Sequence, residues 1–126
     1  MDLKQKTHLR QLETGRRRGW IVYLLYESRP SPLSFNMIWQ LLDARNMPLT
    51  CRQFSEKLEY LRSKGFVRVF RLGDKLELSK PEQAQLIQAY CDMDGENGDH
   101  YCAVLSTDGV DFQEGTEDVA GVKRVN

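Results

Sequence analysis

Leu49-Thr50-Cys51-Arg52-Gln53-Phe54-Ser55-Glu56-Lys57-Leu58-Glu59-Tyr60-Leu61-Arg62-Ser63-Lys64-Gly65-Phe66-Val67-Arg68-Val69-Phe70-Arg71 is the stretch on which the reading of this chain turns. Phe54, Leu58 and Leu61 recur at helical spacing, with Cys51 on the same side. The opposite face carries Arg52, Gln53, Glu56, Glu59, Tyr60 and Ser63. Thr50 is placed to cap the helix, and Gln53 three residues later completes a capping box. Gly65 suits a left-handed C-terminal cap. Residues 66–71 then read as a basic strand.

Two more helices are expected upstream. Trp20, Ile21, Leu24 and Leu25 form a helical stripe over residues 16–28. Pro30 and Pro32 break the chain, and Ser34 caps a helix whose inner residues are Phe35, Ile38, Leu41 and Leu42. Trp39 lies off that stripe, at a border or a contact with a partner. Met47-Pro48 ends the helix. Leu3, Leu9 and Leu12 suggest a short leading helix that ends near Gly15. Three helices, a glycine and a basic strand are the order of a winged helix-turn-helix, an α+β fold in which the third helix enters a DNA groove and the strand pair grips phosphate.

Downstream, residues 75–79 alternate as a returning strand would, and Ser79-Lys80-Pro81-Glu82 opens another helix with Ala84, Leu86, Ile87 and Tyr90 on its apolar side. Residues 92–99 are acidic and contain glycine, which predicts a mobile loop. Residues 101–105 are a second strand candidate. The domain reading is an N-terminal extension at 1–14, a winged-helix domain at 15–112 with an insertion at about 74–99, and an irregular C-terminal tail at 113–126.

The chain has 126 residues and a formal net charge of +0, which hides an asymmetry. Residues 1–91 hold 16 Lys and Arg against 9 Asp and Glu, whereas residues 92–126 hold 2 against 9. The helix-rich part is therefore basic, and attraction to phosphate depends on local charge. No apolar run long enough to span a bilayer and no secretory leader is visible, so cytoplasmic residence is expected. Cys51, Cys91 and Cys102 are an odd set without a CxxC pair, so reduced, packed thiols are expected. His100 beside Cys102 and Cys91 matches no zinc spacing, and residues 92–103 fail the spacing of a calcium loop at Asn97 and Ala103. No nucleophile motif or phosphate-binding glycine loop is present. The expectation is a non-enzyme with no metal and no cofactor.

The helix pair Leu33-Ser34-Phe35-Asn36…Ile38…Leu41-Leu42…Leu49-Thr50…Phe54…Leu58…Leu61…Gly65-Phe66-Val67 resembles a family of small winged-helix proteins from Mu-like transposable phages and prophages. Ala103-Val104-Leu105-Ser106-Thr107-Asp108-Gly109-Val110-Asp111 is similar to that family's strand and "LTxxGxD" helix start, and Gly121-Val122-Lys123-Arg124 to its "PGVKRP" ending. Ala120 and Val125 stand where the pattern has Pro. On this resemblance the insertion separates the two wing strands, residues 101–105 pair with 66–71, and the setting is the cytoplasm of a bacterial host. The resemblance implies a transcriptional regulator.

The partner expected is double-stranded DNA. Thr50, Arg52 and Gln53 would meet it at the start of the third helix, where Arg–guanine and Gln–adenine pairing is geometrically available. Lys57 and Tyr60 would reach phosphate, Arg68 and Arg71 would act from the wing, and Arg16, Arg17 and Arg18 would clamp a phosphate from the first helix. Glu56 and Glu59 argue against this by repelling a polyanion. The alternative is a protein-interaction module in phage replication or assembly. Trp39, Tyr23, Tyr26 or the inserted helix would then form the contact, and a homodimer would use the same surfaces.

Overall fold

The computed structural model describes residues 2–74 and 77–126. The elements are α1 (Leu3–Ser28), β1 (Leu33–Ser34), α2 (Phe35–Asp43), α3 (Cys51–Ser63), β2 (Val67–Arg71), α4 (Lys80–Asp92), β3 (Tyr101–Leu105) and α5 (Thr107–Glu114). They make an α+β fold with a three-stranded antiparallel sheet in the order β1-β3-β2. Val67 pairs with Leu105 and Arg71 with Tyr101, so the expected strand pairing is present. The two-residue strand β1, which pairs Leu33 with Ala103, was not expected.

Local chemistry sets most of the boundaries. Capping boxes close the starts of α3 (Thr50 with Gln53) and α4 (Ser79 with Glu82), and Ser34 caps α2. Gly65 has φ +81°, a conformation open to glycine but costly for other residues, and it turns the chain from α3 into β2. Phe35, Phe54, Tyr90 and Tyr101 are ring neighbours at centroid distances of 5.0–6.1 Å, mostly edge to face. This cluster joins α2, α3, α4 and β3. The inserted helix α4 is therefore part of the core, with Leu86, Ile87 and Tyr90 buried. Its Gln83 also accepts from Val69 N–H at 3.1 Å, which satisfies the outer edge of β2.

The leading segment differs from the expectation. Gly15 does not end a helix: α1 runs unbroken for 26 residues, about 39 Å at the usual rise. The glycines serve the tail instead. Lys123 N–H donates to the Gly15 carbonyl at 3.0 Å, and a Cβ on Gly19 would lie 1.6 Å from the Lys123 carbonyl oxygen. The helix accepts a glycine, at about 1 kcal/mol, because the returning chain needs that space. Residues 92–99 are also tied down, since Asn36 N–H donates to Gly98 O and Asn36 Nδ2 to Asp99 Oδ1. Of the expected strand at 75–79, Lys75 and Leu76 lie outside the described residues, and residues 77–79 are not strand.

Candidate nucleic-acid interface

Helix α3 has a neighbour on each side. Its inner face is buried through Cys51, Phe54, Ser55, Leu58 and Leu61. Outside remains a strip of Arg52, Gln53, Glu56 and Ser63, flanked by half-buried Glu59 and Tyr60. Thr50 and Gln53 spend their oxygens on the cap: Thr50 Oγ1 accepts from Gln53 N–H at 3.1 Å, and Gln53 Oε1 from Thr50 N–H at 3.0 Å. Gln53 keeps its amide NH₂, and exposed Thr50 its hydroxyl proton, for an outside acceptor.

Between α3 and the N-terminal half of α1 lies a cleft of about 480 Å³ lined by Arg10, Glu13, Arg17, Gln53 and Lys57. Arg17 donates to Glu13 Oε2 at 2.6 Å. Lys57 is 8% exposed, and among the described residues no carboxylate comes within ion-pair distance of it. Burial pushes its ammonium pKa down, and the Arg17 and Arg18 guanidinium groups push it down further. Cations therefore converge here beyond what the local carboxylates balance.

Arg18 acts on the Lys57 charge without lining this cleft, and both Arg18 and Tyr60 are committed to the tail. The Arg18 guanidinium lies 3.5 Å from the Tyr60 ring centroid, and its Nη1 donates to the Gly121 carbonyl at 3.1 Å. Tyr60 OH donates to the Ala120 carbonyl at 2.9 Å. Desolvation holds the Arg18 pKa below its ordinary value.

The other side of α3 is acidic. A groove of about 770 Å³ between α3 and α4 is lined by Arg52, Glu56, Glu59, Asp92 and Asp94, over a floor that includes Ala84 and Ile87. Arg52 sits 3.4 Å from Glu56 Oε1. Glu59 holds Arg62 in a two-toothed pair at 2.6 and 2.7 Å, which raises the Arg62 pKa.

The expected common face of arginines does not form. Arg17 and Lys57 meet in the cleft, which Arg18 does not line. Arg52 faces the acidic groove, and Arg16 is exposed away from both. Arg68 pairs with Glu77, and Arg71 with Asp74 at 3.4 Å, because the insertion supplies carboxylates beside β2. The expected aromatic contact surface is also dispersed. Trp39 stacks on Phe54 and donates to Leu49 O at 2.8 Å, and Tyr26 donates to Glu114 at 2.9 Å. Sequence reading missed Arg10. Taking residues 3–28 as one helix would have placed Arg10 two turns from Arg17 on the same face.

Among the described residues no helix is long and apolar enough to cross a membrane, and no three His, Cys, Asp or Glu side chains gather as metal ligands do. No family model, curated protein or solved structure matches the chain.

Proposed function

We propose that the protein is a winged-helix DNA-binding protein of the phage-regulator type, and that it takes duplex phosphate in the cleft between α1 and α3. The sheet order β1-β3-β2 and the helix placement support the winged-helix reading. The observation that carries the function is Lys57, a nearly buried ammonium with no carboxylate partner among the described residues, set against Arg17 and Arg18. Such a cluster is relieved by an anion, and a phosphate chain is the anion a groove-bound α3 would bring. The Gln53 amide then faces base edges from the exposed strip, while Arg52 stays beside Glu56 on the other flank. The wing takes no part, since its arginines are paired.

The test is fluorescence anisotropy with a labelled random-sequence duplex at several salt concentrations. Lys57→Met keeps the buried stem and removes the charge. It should weaken binding about tenfold and flatten the salt slope by about one. Absence of duplex binding at about 50 mM salt, or equal affinity of the variant, overturns the proposal. The acidic α3–α4 groove favours a second reading, in which a basic protein segment docks there; wild type would then ignore DNA and bind a Lys/Arg-rich peptide.

A further inference from the structure

The first half of α1 stands clear of the core. Every residue from Leu3 to Glu13 is exposed, over about 16 Å of helix at the usual rise. A capping box of Asp2 with Gln5 sets its start, yet a helical stretch of that length with no packing is marginal in water and gains from a partner. Its charge indicates the partner's sign: residues 3–18 hold six Lys and Arg against one Glu. At about 100° per residue, Lys6, Arg10 and Arg17 fall within about 40° of one another, on the line of buried Leu24. That line faces α3, because Arg10 and Arg17 line the cleft with Lys57. Lys6 lies one turn beyond Arg10, outside the cleft. Lys4 lies about 120–160° from the three, on the back of the helix. Among the described residues no carboxylate comes within ion-pair distance of Lys6 or Arg10.

We infer that the exposed half of α1 is an arm that carries the phosphate contact outward along the duplex, with Lys6 as its outermost ligand. The inference rests on the DNA reading above and extends it beyond the cleft. Arg10 lies about 10 Å and Lys6 about 16 Å along the helix axis from Arg17. Phosphates of one strand follow one another every 3.4 Å or so of duplex axis, so a helix laid along the duplex would span about five of them. Glu13 is on the same line, but Arg17 holds it at 2.6 Å and offsets its charge. Lys6, Arg10 and Lys57 have no such offset and form a continuous cationic line from the cleft to the end of the helix. Lys4, on the back, is turned away from that line.

The test compares two single-charge variants of the full chain by anisotropy with a labelled random-sequence duplex over a salt series. Lys6→Gln should weaken binding about three- to tenfold at about 50 mM salt and flatten the salt slope by about one. Lys4→Gln removes the same charge two residues away and should change affinity by less than about twofold, with the slope intact. Both side chains are exposed, so both variants should melt with the wild type. Equal losses from the two variants would show a diffuse charge effect and overturn the arm. An unchanged Lys6→Gln would overturn it too, and if Lys57→Met still weakens binding, the cleft reading survives alone. A wild type that binds no duplex overturns both.

Discussion

The two flanks of α3 are built from one helix yet carry opposite charge. The α1 side gathers Arg10, Arg17 and Lys57 against Glu13, while the α4 side gathers Glu56, Glu59, Asp92 and Asp94 around Arg52. Helical periodicity places Lys57 and Glu59 correctly on either side of the same cylinder. What each side means depends on the element that folds against it, and both of those elements come from far along the chain.

Charge reversal on the α1 flank should have the largest effect. Lys57→Glu with Arg10→Glu should lower duplex affinity by about a hundredfold at low salt, measured by anisotropy, because each lost phosphate contact also becomes a repulsion. The next change breaks the frame of that flank. Gly19→Ala puts a Cβ on the Lys123 carbonyl, so the tail must lift from α1; urea unfolding should show a loss of about 1–3 kcal/mol. Neutralising the α4 flank works in the opposite direction. Glu56→Gln with Asp92→Asn and Asp94→Asn should tighten duplex binding about three- to tenfold, as repulsion beside the helix is removed. The smallest effect concerns pH. The folded-state pKa of Lys57 lies below its unfolded value, so between the two the unfolded chain binds more protons. Stability relative to Lys57→Met should therefore rise as pH climbs from the depressed value towards the ordinary lysine value, with no relative change below that window.

Much of the fold was legible because local rules dictated it. The caps at Thr50, Ser34 and Ser79, the turn at Gly65 and the inward residues of α2 and α3 follow from chemistry within four residues. Long-range contacts were not legible. Gly15 reads as a helix end until Lys123 is seen to hydrogen-bond across it. Strand β1 exists only through pairing with β3. Arg18 and Tyr60 read as phosphate ligands by residue type, and only the returning tail, through Ala120 and Gly121, shows what they hold. Arg68 and Arg71 likewise meet carboxylates of the insertion. Arg16, Arg17 and Arg18 are adjacent in sequence, but a helix turns them in three directions.

The most direct measurement is a backbone amide NMR titration of the chain with a short duplex. On this account the shifts gather at Arg10, Arg17, Gln53 and Lys57, and leave Asp92 and Asp94 unmoved. Shifts centred instead on Glu56, Glu59 and α4, or none at saturating duplex, would contradict it.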